Sequence, residues 1–356
     1  MRDFHRHPFI VIWETTQACD LACLHCRASA RPERDPRELT TAEARMLLND
    51  IRQFDDPLMV FTGGDPLKRP DLFELLRYSV HIGLRTTVTP SATPLLTAQA
   101  IHKFKAAGVA RMAVSLDGPA AAVHDQFRQV LGSFDCTVFA LEEARRIGLE
   151  TQVNTTVGKH NFNLLGQIAQ RVADCGAKLW SLFFLVPMGR AQASADLDAH
   201  GYEQVFEALY ALSKTAPFQI KTTEAQHYRR YVAQRRKQEG PFLAACPPPG
   251  MARAAGVNDG KGLLFISHTG DIFPSGFLPV AAGNIRRDSI VEVYRYSPLF
   301  RTLRDTSQLG GKCGACEYRN LCGGSRSRAY ALTGDYLAAD PKCEYESANA
   351  HAAAAR

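Results

Sequence analysis

Cys19, Cys23 and Cys26 stand in the spacing C-x₃-C-x₂-C, directly after the apolar run Phe9-Ile-Val-Ile-Trp13. No other feature constrains the chain as much. Three sulfurs this close converge when the chain makes a tight loop, and soft thiolates suit the iron of an iron–sulfur cluster. A [4Fe–4S] cube has four irons, so three protein ligands leave one iron free to bind and act on a small molecule. Two competing readings are a zinc site, which usually takes four closed ligands often arranged as C-x₂-C pairs, and reduced thiols in a core.

The wider composition narrows the choice. At 356 residues the chain is long enough for about two domains, and 46% hydrophobic with 22% charged residues is ordinary for a soluble globular protein. No apolar run approaches the length of a membrane span, and Met1-Arg-Asp-Phe-His-Arg-His7 lacks an apolar signal region. The expected compartment is therefore the cytoplasm, where the ten cysteines read as metal ligands before they read as disulfides. Seven fall into two tight groups, while Cys136 and Cys175 sit in helix-like stretches as inert core thiols. The net charge of +6 would fall to about +3 with one cube on three thiolates and one on four. That is too mild for nucleic acid and leaves room for an acidic small-molecule partner.

From residue 9 to about 200, apolar runs at 9–14, 58–62, 84–88, 111–115, 150–155 and 179–185 alternate with helical patterns opening at Thr41 and over 70–82, 97–107, 119–147 and 161–175. Six β–α units predict an α/β fold, a parallel sheet with right-handed crossovers. Six are too few for a closed eight-stranded barrel, so the expected form is a partial (β/α)₆ barrel with its active groups at the C-terminal strand ends. The expected domains are this barrel over 1–205, a helical bridge over 206–255, a small cysteine-bearing domain over 256–346 and a frayed tail over 347–356. The bridge carries a helical pattern from Tyr202 to Ser213, a basic stretch from Lys221 to Lys237, and the breaker Cys246-Pro-Pro-Pro-Gly250. The third unit opens with a β-hairpin over 263–274, followed by a helix over 289–304.

Polar groups gather at the predicted strand ends. The second strand runs into Thr62-Gly63-Gly64-Asp65-Pro66, where two glycines let the backbone approach a ligand and a carboxylate follows. The fourth ends at Ser115 with Arg128 beyond it, Asn154 lies late in the fifth, and the sixth ends in the turn Leu185–Arg190. Near the C-terminus Cys313, Cys316, Cys322 and Cys343 form C-x₂-C-x₅-C-x₂₀-C, which serves zinc or an iron–sulfur cube equally well.

The N-terminal cysteine loop, with His25 before its last cysteine, resembles that of the radical S-adenosylmethionine (SAM) enzymes. The resemblance implies that Cys19, Cys23 and Cys26 hold a [4Fe–4S] cluster whose open iron chelates SAM. It places His25, Gly63, Gly64, Asp65 and Pro66 around the cofactor, with Asp65 in the place of the usual Glu facing the methionine amino group. It offers Ser115 for the ribose, Arg128 for the carboxylate, Asn154 as a further polar contact and the 185–190 turn beside the adenine. The C-terminal cysteines resemble the SPASM/twitch extensions of that superfamily, implying a second [4Fe–4S] cluster on Cys313, Cys316, Cys322 and Cys343. The full pattern has further cysteines where this chain has Ser275 and Arg326, so one auxiliary cluster is expected and Cys246 is spare. The run Phe265–Leu278 looks most like the branch of haem d1 biosynthesis and the alternative haem pathway. That likeness implies reductive cleavage of SAM to a 5′-deoxyadenosyl radical, which takes hydrogen from a tetrapyrrole propionate. His227, Tyr228, Arg229 and Arg230 are the expected donors for its carboxylate rim, although composition alone reads them as a solvated basic helix. A flavodoxin or ferredoxin is the expected electron donor, and neither nucleic acid nor membrane is an expected partner. The alternatives are a maturase of a ribosomally made peptide and an iron–sulfur electron carrier. The first is disfavoured because the barrel begins near residue 9, with no room for a peptide-docking domain. The second has no need of an open iron beside a Gly-Gly-acid turn.

Overall fold

The structure, a computed structural model, describes residues 3–240 and 256–347. Its strands follow the alternation of the sequence. In β1 (Ile10–Glu14), Val11 and Trp13 are fully buried under helices while Ile10 and Ile12 face the other way. Strands β2 (Leu58–Thr62), β3 (Arg85–Val88), β4 (Arg111–Ser115), β5 (Thr151–Val157) and β6 (Leu179–Phe184) pair in parallel and in chain order. Between them run α1 (Thr41–Ile51), α2 (Leu72–His81), α3 (Ala98–Ala106) and α6 (Leu165–Asp174). Helix α1 opens with a capping box between Thr40 and Glu43, which satisfies two amides that the helix cannot pair. The single helix expected over 119–147 is two, α4 (Ala121–Arg128) and α5 (Ser133–Arg146), because Gln129 and Gly132 take left-handed φ values of 58° and 81°.

The bridge differs from its expectation. After α7 (Ala199–Leu212) the chain forms a seventh parallel strand, β7 (Gln219–Thr223), beside β6, and only then α8 (His227–Glu239). Gln-Ile-Lys-Thr-Thr offers no apolar run to detect, and its register against β6 supplies the pairing that composition hides. The expected hairpin is also part of the barrel sheet. β8 (Leu263–Ile266) pairs in parallel with β1, and β9 (Asp271–Phe273) and β10 (Gly283–Asn284) follow antiparallel. One ten-stranded sheet, ordered β10-β9-β8-β1-β2-β3-β4-β5-β6-β7, therefore joins the expected barrel, bridge and cysteine-bearing unit. It does not close on itself, which makes the fold a partial barrel.

The helix expected over 289–304 is split into α9 (Ile290–Tyr296) and α10 (Pro298–Arg304), since a proline disfavours helical geometry in the residue before it. Short α11 (Gly311–Ala315) and α12 (Arg326–Thr333) complete the cysteine-bearing unit. Cys246 and the tail from Ala348 lie outside the described residues. No described helix is long and apolar enough to cross a membrane.

Arg328 on α12 ties this unit to the barrel. It is fully buried, its Nη2 donates to the carbonyls of Glu224 (2.5 Å) and Leu185 (3.4 Å), and its guanidinium lies 4.8 Å over the Tyr202 ring. Its Nη1 pairs with Asp340 at 3.2 Å. Removing one member of a buried pair strands the other, at about 3–5 kcal/mol. Arg328→Ala should therefore lower the urea midpoint of the reconstituted protein by a matching amount, whereas a surface change such as Arg287→Ala should leave it in place.

Candidate active site

The loop after β1 lies across the C-terminal ends of the strands and is gripped on both sides by backbone. Gly64 donates its N–H to Thr16 O (2.8 Å) and Asp65 donates to Ala18 O (2.6 Å). A Cβ on Gly63 would stand 2.4 Å from Thr16 O, and one on Gly64 2.4 Å from Ala18 O. The two glycines are thus required by the cysteine loop itself, before any ligand arrives. On the other side Gly189, at φ 58°, passes so close that a Cβ would stand 2.4 Å from Cys26 O. Arg190 then donates to Cys23 O and Ala30 O, both at 2.9 Å, and its amide to Cys26 O at 3.0 Å. Gly189 and Arg190, expected beside the adenine, instead hold this loop, although Leu185 of the same turn faces the cavity.

That cavity, of about 230 Å³, brings together Cys19, Cys23, His25, Cys26, Gly63, Gly64, Ser115, Arg128 and Asn154. Each of the three thiols accepts a hydrogen bond: Cys19 Sγ from Leu21 N (3.4 Å), Cys26 Sγ from Ala30 N (3.3 Å) and Cys23 Sγ from Arg128 Nη1 (3.5 Å). Donors aimed at sulfur favour its thiolate form, which is the form that ligates. Burial pushes the Cys19 thiol up to about 11, a penalty that a bound cation would remove.

Several residues have a different place from the one expected. Asp65 is fully buried and does not line the cavity. Its Oδ1 accepts from Leu67 N (3.1 Å) and Ser91 N (3.3 Å), and its Oδ2 from Thr93 Oγ1 (2.9 Å). Burial raises its carboxyl to about 6, against those donors. It organises its own turn, which Pro66 begins, also buried. Arg128 lines the cavity, but its fork is on Asp117, with Nε at 2.7 Å and Nη2 at 2.5 Å. Burial works against the Asp117 charge, yet Arg128 holds that carboxyl down to about 2. Arg128 thereby presents a paired positive charge to Cys23 rather than a free fork. His25 stacks on Phe127 at 4.2 Å, and burial pushes it down to about 3, which keeps it neutral.

Sequence reasoning missed three contributors. Ser91 Oγ donates to Gly64 O (2.7 Å) and lies 3.4 Å from Cys19 Sγ, joining the glycine turn to the cysteine loop. It stands just past β3, so the strand-end rule would have found it. Asp117 sits beyond β4 for the same reason. Glu14 pairs with Arg27 and, at 2.7 Å, with His268 Nδ1, linking β1, the cysteine loop and the turn after β8. Only the β1–β8 pairing makes that link visible.

The four C-terminal thiols line a second cavity. Cys313 Sγ accepts from Asp340 N (3.4 Å), Cys316 Sγ from Tyr318 N (3.4 Å) and Cys322 Sγ from Gly324 N (3.3 Å). Among the described residues no three His, Cys, Asp or Glu side chains are arranged to hold a single metal ion. Ser275 Oγ lies 3.1 Å from Ser327 Oγ, and Arg326 Nη1 donates to Tyr336 O (2.9 Å) and Ala338 O (2.6 Å).

The segment expected to hold substrate carboxylates belongs largely to this second centre. His227 and Arg230 line it. His227 is fully buried, stacked at 5.3 Å on Tyr202 and pushed down to about 3 by burial. Tyr228 is buried beside Phe206, and Arg230 is paired with Glu203. The α8 face that carries them packs inward, so composition misjudged it as solvated. Arg229 alone points elsewhere, and donates to Leu321 O at 3.4 Å.

Gly64→Ala forces a backbone clash and should cost about 1–3 kcal/mol together with iron retention after anaerobic reconstitution. Gly166→Ala, where a Cβ meets nothing within 4 Å, should keep the wild-type iron content.

Comparison with known proteins agrees with this geometry. Residues 13–171 match the model of the Radical SAM superfamily. The chain is 40% identical to an AdoMet-dependent heme synthase of Methanosarcina barkeri, over 95% of this chain and 97% of that one. It is 42% identical to a protein of the same name from Oleidesulfovibrio alaskensis, over 95% and 87%. Among solved structures, SuiB of Streptococcus suis superposes with a TM-score of 0.75 over 96% of this chain and 78% of that one, at 15% identity, a likeness of fold.

Proposed function

Because the chain belongs to the radical SAM superfamily, we propose that it converts propionate side chains of an iron tetrapyrrole, with two [4Fe–4S] clusters. It is an enzyme of haem synthesis that uses SAM and a [4Fe–4S] cluster. Cys19, Cys23 and Cys26 would hold the SAM-binding cluster, and Cys313, Cys316, Cys322 and Cys343 the second. The observation that carries this reading is the cavity in which three hydrogen-bonded thiols, the glycine turn, Ser115 and Asn154 meet at the strand ends. When bound, these cofactors supply one-electron chemistry, in which a propionate loses one hydrogen atom, carbon dioxide and one electron to become a vinyl group.

The protein's own part is to hold, charge and dry the site. The paired glycines and Arg190 fix the loop that carries the three sulfurs against the strand ends. Arg128, steadied by Asp117, compensates negative charge at Cys23. Ser115 and Asn154 offer a hydroxyl and an amide to the ribose end of SAM. Phe183, Leu185, Val186 and Phe277 form an apolar wall of the same cavity, which excludes the water that would otherwise quench a reactive intermediate. The backbone donors on Cys313, Cys316 and Cys322 support thiolates at the second centre, suited to accepting the remaining electron. A flavodoxin or ferredoxin is the donor class for the electrons entering the first.

Anaerobically reconstituted protein should carry about eight irons per chain; about four with zinc would remove the second cluster from this reading. With SAM, reductant and iron coproporphyrin, the wild type should form 5′-deoxyadenosine and a porphyrin lighter by carbon dioxide and two hydrogens per converted side chain. Cys23→Ala should abolish 5′-deoxyadenosine. Cys316→Ala should keep some of it and lose the porphyrin product. A wild type that cleaves SAM but leaves the porphyrin unchanged would shift the substrate to a ribosomally made peptide.

A further inference from the structure

A propionate that becomes a vinyl group gives up its hydrogen from a carbon only one methylene away from the carboxyl carbon. Its carboxylate therefore enters the cavity where SAM is cleaved, and it needs a cation there. Arg230 cannot supply one, being paired with Glu203 at the second centre. Apart from the thiols, the charged side chains that line the first cavity are Arg27 and Arg128, and no described Asp or Glu lines it. Its histidines, His25 and His124, are kept neutral by burial, which pushes them down to about 3 and about 4. Arg128 is spent, with its fork on Asp117 and its Nη1 on Cys23 Sγ. Arg27 is the cation that remains.

Arg27 follows Cys26 directly, and its neighbours set its guanidinium without using it up. Its Nη2 donates to Glu14, a buried carboxylate that also pairs with His268 Nδ1 at 2.7 Å. Its guanidinium carbon lies 4.6 Å over the Phe265 ring, a face-on contact that suits a planar cation. Its Nε and Nη1 make no hydrogen bond among the described residues, and neither is closed off from solvent. The side chain as a whole is 21% exposed. A Cβ on Gly276 would stand 3.0 Å from the Phe265 ring and 3.4 Å from Arg27 Nε, so a glycine there leaves this edge uncovered. Beside it, Phe277 lines the cavity and lies 6.3 Å from Phe183. Ser275 fixes the turn, its Oγ accepting from the amides of Phe277 (3.1 Å) and Leu278 (3.2 Å). A guanidinium edge with free N–H donors thus stands beside an aromatic wall, in the same cavity as the three thiols.

We propose that Arg27 binds the carboxylate of the propionate undergoing conversion, with the tetrapyrrole ring against Phe183 and Phe277. This contact rests on the function proposed above and specifies how that substrate is held. A carboxylate meets an arginine through parallel N–H···O bonds, so one contact sets both the position and the direction of the side chain. The carbon that gives up hydrogen is then held beside the cysteine loop. Glu14 acts as a positioning residue, because its hold on Nη2 leaves the Nε and Nη1 donors for the ligand. Loss of the carboxylate as neutral carbon dioxide, with its electron passing to the second cluster, ends the contact and frees the converted side chain.

The test uses the full-length, anaerobically reconstituted enzyme with SAM, reductant and iron coproporphyrin. Arg27→Gln should raise the KM for the porphyrin by about tenfold or more, the loss of one charge-assisted contact. It should also form more 5′-deoxyadenosine per converted side chain than the wild type, because the propionate is no longer held for reaction. Arg27→Lys, which keeps the charge and loses the fork, should fall between the two. The Kd for SAM should stay at the wild-type value in both variants, which separates a substrate carboxylate from the carboxylate of SAM itself. Iron content reports on the cysteine loop. Gly276→Ala supplies an arm outside that loop: its methyl group covers the Arg27 edge and should raise the porphyrin KM with wild-type iron content. An iron-replete Arg27→Gln with unchanged KM and coupling overturns the contact, and so does one that weakens SAM binding while the porphyrin KM stands. If Arg27→Gln loses its iron, an unchanged KM in Gly276→Ala overturns it. Each of these results leaves the function standing. A wild type that leaves the porphyrin unchanged overturns both.

Discussion

The close backbone approach of two glycine-containing turns to the cysteine loop is the constraint on which the rest of this structure depends. Gly63 and Gly64 reach Thr16–Ala18 from one side and Gly189 reaches Cys26 from the other, at distances that no side chain survives. A loop bearing three thiolates holds one shape only against the repulsion of like charges, and its own apolar anchor is small, Leu21 and Ala30. Here its shape is imposed by carbonyls and amides of β2 and β6 exits, which the parallel sheet delivers to the same end. The turn after β2 is held in its turn by Asp65, spent on the amides of Leu67 and Ser91 and the Thr93 hydroxyl.

Electrostatics then divide the molecule into regions of different character. Around the N-terminal thiols three contacts pair opposite charges or a carboxylate with histidine: Arg128 with Asp117, Arg27 with Glu14, and Glu14 with His268. Between barrel and C-terminal unit the charges are buried and shared, with Arg328 on Asp340 and on the carbonyl of Glu224. Glu224 itself adopts φ 57°, unusual for a residue with a Cβ. Burial raises its carboxyl to about 8, and Ser325 Oγ donates to it at 2.5 Å, so it suits a neutral acid at the joint.

Legibility in the sequence followed the strength of local signals. The six strands β1 to β6 carry apolar runs with clean turn boundaries, and each lies within two residues of its expected limits. β7 carries Gln219, Lys221 and two threonines, and a five-residue strand without an apolar run has no local signature. The seven cysteines announced two centres by spacing, and the structure gathers them around two cavities. Asp65, Arg128 and Arg190 share one feature that is invisible in one dimension: a nearby protein partner takes the hydrogen bonds of each. The helix from His227 to Tyr231 was judged by composition, but α7, with Tyr202 and Phe206, covers the face that bears His227, Tyr228 and Arg230.

By itself the sequence determined the chemistry available to this protein: thiolates in two groups, a glycine turn one β–α unit after the first, and alternating units that can only form a parallel sheet. These are local properties, set by spacing, periodicity and the conformational demands of glycine. Tertiary structure decided which groups are spent and which are free. That β8 joins β1, that β7 extends the sheet, and that Arg230 faces the second centre all follow from long-range pairing and packing. Such contacts join residues hundreds of positions apart, and no neighbouring residue records them.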